Sequence, residues 1–236
     1  MTQTISVAIE TSCRQGGIAL GLDDALAGEI NFDASQRHAT QLVGRLGDLL
    51  ASHHLAPAAV NEIYVSVGPG SFTGLRVGIT VARTMAQAIA AAGAPMPRCV
   101  AVPSLAAVAQ NARPLAWEHL GVVLDVKEGS FYAGLFQRHG EQIELAAPPR
   151  LMTAEEFLAA APRPLLLTGE GLAFIDIATQ CVSAAPKDTH FPTAAGVWRV
   201  GRRLALAGQF TEYHHLLPIY PRQPEAVRLW DKLGRK

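Results

Sequence analysis

Short apolar runs alternate with amphipathic stretches from the start of the chain. Residues 5–9, ISVAI, predict a strand, and the polar ETSCRQGG followed by IALGL gives the outline of a β-hairpin. A third strand is expected at 25–32. Ser35 then offers an N-cap for a helix over 36–53. Leu42, Val43, Leu46, Leu49 and Leu50 fall on its i, i+3, i+4, i+7 stripe, and Pro57 ends the segment. IYVSV at 63–67 reads as a strand buried on both faces. Gly68, Pro69 and Gly70 make a turn, and Ser71 caps a long helix over 72–92. RCVAV at 98–102 is a strand and SLAAVAQNA at 104–112 a helix. Alternating strands and helices indicate an α/β fold.

A second cycle opens near Gly121. VVLDVKEGSFYAGLF (122–136) has the outline of VAIETSCRQGGIALG (7–21): a strand ending in an acid, a polar turn with Gly, then another strand. Glu10 corresponds to Asp125 and Gly17 to Gly129. The pattern predicts two lobes of common ancestry, residues 1–112 and 113–236. Pro-rich stretches at 146–150 and 161–164 separate shorter elements. A final helix is expected from Thr193 to Ala207, then an extended tail, LLPIYPRQPEAV, free to dock back on the first lobe.

Composition narrows the function classes. The 236 residues carry 20 positive and 20 negative charges, whereas a protein holding RNA by its own basic field should be clearly positive. A local basic patch stays open. The longest stretches without a charged residue are the 14 residues on either side of Arg98, too short for the ~20 of a membrane span. The N-terminus lacks the basic and apolar regions of a secretory signal. Cys13, Cys99 and Cys181 are odd in number and widely spaced, as free thiols in a reducing compartment would be. The expectation is a cytoplasmic protein with no membrane association.

Candidate chemistry concentrates in a few segments. The turn at 68–70 leads into a helix N-terminus, which suits an anion, although the glycines equally serve a sharp strand-to-helix turn. Gly74, Gly78, Ala82, Ala86 and Ala90 recur every four residues and form a ridge almost free of side chains. Each helical Gly costs ~1 kcal/mol relative to Ala, so a close neighbour is expected to offset it: the chain's own sheet or a partner's helix. Glu10 and Asp125 end two equivalent strands, where paired acids suit Mg²⁺ on a nucleotide or simply cap turns. Arg76, one turn into the long helix, suits a phosphate, a partner's acid or a surface ion pair. Ser12 and Cys13 have no recognisable base, and His38 has Leu42, not a second ligand, four residues on. No catalytic residue, metal ligand or cofactor is assigned.

GPGSFTGLRVG at 68–78 is the most specific segment. With IETS, VPSLAAVA, DVKEGSFYAGLF and PIYPRQ, in that order along the whole chain, it resembles the TsaB (YeaZ) family. The resemblance implies a two-lobed actin-like ATPase (ASKHA, ribonuclease H-like) α/β fold with a reduced second lobe. It implies a non-catalytic scaffold in N6-threonylcarbamoylation of the adenosine beside the anticodon of tRNAs reading ANN codons. The partners would be a TsaD-type catalytic paralogue, which carries the metal, and a TsaE-type ATPase. A homodimer would use the same helices, and tRNA would be met mainly through the complex. The family usually has Asp where Glu10 stands and often Arg where Lys127 stands, and neither turn has Gly directly after its acid.

The resemblance turns the small-residue ridge toward a partner. A helical wheel then assigns His38, Gln41, Leu42, Arg45, Leu46 and Leu49 of the first long helix to the interface, with Leu75, Gly78, Ala82 and Met85 of the second. On that assignment, Gly78→Arg abolishes pairing and leaves the monomer folded. The competing reading is a small-molecule kinase or ATPase of the same fold. A peptidase is a third, disfavoured by the absence of HExxH and of a GxSxG elbow.

Overall fold

The computed structural model describes residues 3–33, 38–177, 181–221 and 230, with the side chains of 33 and 38–40 outside that description. Strands β1 (Ile5–Glu10), β2 (Gln15–Leu22) and β3 (Ala25–Asp33) form an antiparallel meander. β4 (Glu62–Gly68) and β5 (Arg98–Pro103) extend it in parallel on the other side of β1, in the order β3-β2-β1-β4-β5. Helix α1 (His38–Ser52) precedes β4; the expected cap at Ser35 lies outside the described residues. Helix α2 (Phe72–Ala91) follows β4 and is capped as expected, Ser71 Oγ accepting from Gly74 N–H at 3.2 Å.

The period of two along the strands sorts side chains between two cores. Ile5, Val7 and Ile9 of β1 point to the α1 and α2 side, with Leu42, Leu46, Ile79 and Ala82. Ala8 and Tyr64 point the other way, to α3 (Ser104–Asn111) and α5 (Ala194–Leu206). The second sheet comprises β6 (His119–Asp125), β7 (Phe131–His139), β8 (Gln142–Leu145), β9 (Arg150–Met152), β10 (Leu165–Thr168) and β11 (Val182–Ala184). Its order is β11-β10-β6-β7-β8, with β9 also pairing β7. Leu120, Val122 and Phe136 of this sheet join the same core as Ala8 and Trp198, so α3 and α5 lie between the two sheets. The outer face of the second sheet is covered by Phe157 of α4 (Ala154–Ala160) and by Leu172. The layers therefore run helix, sheet, helix, sheet, helix, with the last one thin.

The duplicated hairpin is present, with one correction. Glu10 pairs with Gly17 across β1 and β2, but the residue opposite Asp125 is Phe131. Gly129 lies in the turn itself at φ +70°, beside Lys127 and Glu128 at +69° and +57°. Between these closing pairs the second turn is one residue shorter, and its Gly meets a backbone demand that Gly17 does not. Val43, placed on the apolar stripe of α1, is 58% exposed.

Polar contacts tie α5 to the sheet. Glu62 is buried and accepts from Tyr64 Oη, Arg98 and, at 3.5 Å, Arg202 Nη1 of α5. At the other end, Thr193 Oγ1 accepts from Gly196 N–H at 3.0 Å and donates to Asn111 Oδ1 at 3.1 Å. Thr193→Ala removes this cap and its link to α3, and should cost about 1–2 kcal/mol, read as a lower urea midpoint at an unchanged slope.

Candidate functional site

Three strand ends converge on one cleft. β1 and β6 end in Glu10 and Asp125, and β10 is followed by a 3₁₀ turn that begins at Glu170. A cleft of about 630 Å³ opens there, lined by Ser12, Cys13, Arg14, the Pro69–Phe72 turn, Asp125, Lys127, Glu170 and Phe174. Ile219 and Tyr220 of the tail close one side. Carboxyl ends of parallel strands are the usual place for a site in α/β folds.

The turn after β1 is knitted to the start of α2. Ser12 C=O accepts from Ser71 N–H at 2.6 Å, and Thr11 Oγ1 donates to Gly74 C=O at 2.8 Å. A Cβ on Gly74 would lie 1.9 Å from Thr11 C=O, and one on Gly78 2.3 Å from Thr11 Oγ1. The tail adds Ile219 N–H donating to Val67 C=O at 2.7 Å, with Tyr220 stacked on Phe72 at 5.1 Å between ring centroids. Arg76 lies over the Phe72 ring at 4.9 Å, outside the cleft.

The electrostatics are set by burial. Glu10 is fully buried; one carboxylate oxygen accepts from Ser12 N–H and the other meets no hydrogen-bond partner among the described residues. Burial pushes its carboxyl up to about 7, with the Glu170 charge adding to the shift against hydrogen bonds from Ser12 and Ser66. Glu170 is itself raised, by burial and then by Asp125. Asp125 accepts from Lys127 N–H at 2.8 Å, the local turn cap. Burial drives the Cys13 thiol well above its ordinary range, so it is not an activated nucleophile. Among the described residues, no group of three or more His, Cys, Asp or Glu side chains is arranged to hold a metal ion.

The structure thus brings together Glu10, Ser12, Cys13, Asp125 and the 68–70 turn. Glu170, Phe174 and Tyr220 were missed. The signal for Glu170 was LLLTGEG, a third strand ending in Gly and an acid.

Six of the ten residues that the helical wheel assigns to an interface are buried. Leu42, Leu46, Leu49, Leu75, Gly78 and Ala82 all point into the chain's own interior. The glycines of the small-residue ridge lie against β1 and the turn that follows it, because only a bare helix surface allows α2 to approach them so closely. Gln41 and Met85 are half-buried and Arg45 is exposed; the His38 side chain lies outside the described residues. The outward strip of α2 is offset from the ridge. It comprises Phe72, Thr73, Arg76, Val77, Thr80 and Val81, which together line a shallow groove.

A family model described as tRNA N6-adenosine threonylcarbamoyltransferase, TsaD, matches residues 30–225. The tRNA threonylcarbamoyladenosine biosynthesis protein TsaB of Bacillus subtilis (strain 168) is 29% identical over 95% of this chain and 96% of its own length. The protein of the same name from Escherichia coli (strain K12) is 25% identical over 98% of each chain. YeaZ from Pseudomonas aeruginosa superposes with a TM-score of 0.78 at 23% identity, covering 92% of this chain and 99% of that one. A Pseudomonas aeruginosa protein described as similar to peptidase YEAZ gives 0.80 at 24% identity, covering 93% and 100%. The two superpositions speak to the fold, which is the expected two-lobed actin-like α/β architecture with a reduced second lobe. Among the described residues, no helix is long and apolar enough to cross a membrane.

Proposed function

This chain belongs to the TsaB branch of the TsaD-type tRNA N6-adenosine threonylcarbamoyltransferase family, and from that premise we propose that it serves tRNA threonylcarbamoyladenosine biosynthesis as a non-catalytic scaffold. Its partner is a TsaD-type catalytic paralogue, with a TsaE-type ATPase joining the assembly and a homodimer using the same face. The lobes divide at 112/113, with α5 and the tail serving the first.

The observation that carries this reading is the outward strip of α2. Phe72 is 48% exposed, and Val77 and Val81 continue the apolar line between Thr73, Arg76 and Thr80. Val43 on the adjoining α1 is also exposed. An aromatic and an arginine beside aliphatic side chains on a rigid helix is the make-up of an interface centre. Gln41, Arg45 and Met85 are kept as part of the proposed face on the helical-wheel assignment. The cleft offers a polyphosphate no net positive field, because Asp125 and Glu170 line it together with Arg14 and Lys127, and this supports a non-catalytic role.

Thr80→Glu places a charge in the middle of the strip at an exposed position that leaves the core intact. Light scattering of the purified chain mixed with a purified TsaD-type subunit should show a stable complex, weakened at least about tenfold by this substitution. Equal pairing of both proteins would overturn the assigned face. The small-molecule kinase or ATPase reading draws on the same cleft, and saturable ATP turnover by the isolated chain would establish it instead.

A further inference from the structure

A second open groove lies on the opposite side of the first sheet from α1 and α2. Its floor is α5, whose sequence WRVGRRL puts Arg199, Arg202 and Arg203 at i, i+3 and i+4 along one edge. Arg113, just after α3, faces them, with the carboxamides of Gln110, Gln142 and Gln209 between. The groove measures about 910 Å³. Arg138 adjoins it, donating to the Arg113 and Leu115 carbonyls at 3.0 and 3.2 Å while its guanidinium lies 4.6 Å from the Trp117 ring. Among the described residues Arg138 and Arg199 make no ion pair.

The opposing acids are loosely held. Glu141 and Asp24, which pair with Arg113 and Arg202, have side chains 82% and 77% exposed, and Glu144 meets Arg203 only at 3.6 Å. Exposed pairs of this kind contribute little and open readily. Arg202 is better fixed: its side chain is 14% exposed and is held from below by Glu62. A polyanion can therefore displace the rim carboxylates from cations that are already in place.

We propose that this groove binds the phosphate backbone of RNA. The surface deepens the scaffold reading, because it assigns to this chain a share in holding the tRNA. It also leaves the outer strip of α2 free, since α5 and α2 cover opposite faces of one sheet. Arg199 is exposed, and Arg113 and Arg203 become available to phosphate oxygens once their rim acids are displaced, with Arg202 adding its charge from below. Phosphate contacts position RNA without reading its sequence.

The test is fluorescence anisotropy of the full chain with a labelled, unmodified tRNA transcript between 50 and 200 mM salt. Saturable binding is expected, its logarithm falling linearly with the logarithm of salt. The double variant Arg199→Glu, Arg203→Glu should weaken binding by about tenfold or more and flatten the salt slope by about two. Glu141→Lys, a change at an exposed side chain, should tighten binding several-fold. No saturable binding, or full affinity in the double variant, overturns the proposal. So does displacement of the RNA by polyglutamate at equal charge, which would reassign the groove to an acidic protein. Pairing with the TsaD-type subunit is measured separately, so the scaffold reading stands or falls independently.

Discussion

Gly78→Arg is expected to leave no stably folded monomer. The first atom of any side chain there would lie 2.3 Å from Thr11 Oγ1 and 3.5 Å from Ile9 Cγ2. Neither neighbour is free to give way, because Thr11 Oγ1 is held to Gly74 C=O at 2.8 Å and Ile9 is fully buried in β1. Overpacking of a well-filled core costs roughly 1–3 kcal/mol even for added methylenes. A guanidinium forced into the same space without a partner adds several more. The sum, on the order of 5 kcal/mol, is comparable with the whole stability of an ordinary domain. Circular dichroism through a urea titration checks it. A cooperative transition at the wild-type midpoint would mean that α2 does not rest on β1 through this ridge. Loss of partner binding by this variant would therefore report unfolding and not an interface, which is why the exposed Thr80 is the position to change.

Glu10→Gln is expected to stabilise the protein at neutral and alkaline pH. Burial raises the carboxyl from an ordinary 4.5 to about 7 in the folded state. Between those values the unfolded chain is ionised at this position while the folded chain keeps its proton, so stability falls as pH rises through that window. Above about 7 both states are ionised and the loss is complete. A shift of this size corresponds to on the order of 3 kcal/mol, and a buried group receives little solvent screening. Gln has the shape of the protonated acid and keeps an oxygen for Ser12 N–H. The variant should therefore match the wild type near pH 4.5 and exceed it increasingly up to about pH 7, then by a constant margin. Denaturant midpoints at pH 5 and pH 8 decide it. Parallel values at both would show that Glu10 ionises without hindrance in the folded protein and stands as a full negative charge behind the cleft.

The strand-and-helix alternation up to residue 112 was legible because each element spans enough residues to display its period, as in the twenty residues of α2. β8 to β11 are three or four residues each, too short to show one. The small-residue ridge announced a close approach, but spacing does not say to what. Bare glycines suit β1 as well as a foreign helix, and the decision rests on Thr11, sixty-three residues away in the chain from Gly74. Leu42, Leu46 and Leu49 posed the same ambiguity, since a core and an interface both ask for apolar side chains. The exposed strip was hidden because Val77, Thr80 and Val81 lie among buried neighbours in a helix that is apolar on most of its circumference. In the cleft, Glu10 and Asp125 were visible as strand ends. Glu170 was not, because a single acid after a glycine has no period and its partners come from other strands.

The shared layer between the sheets has a consequence for how the chain is made. Ala8, Tyr64 and Val100 belong to strands that are synthesised well before Val197, Trp198 and Val200, which cover them. Trp198 Nε1 donates to Ser6 Oγ at 2.9 Å, joining positions 192 residues apart. The stretch between α3 and the end of α5, ~90 residues, takes roughly 5–20 s to translate. For that interval the first sheet is complete in strands and has only α3 on one face. The nascent chain must then be shielded, by the emerging second sheet or by a chaperone, until its closing helix arrives.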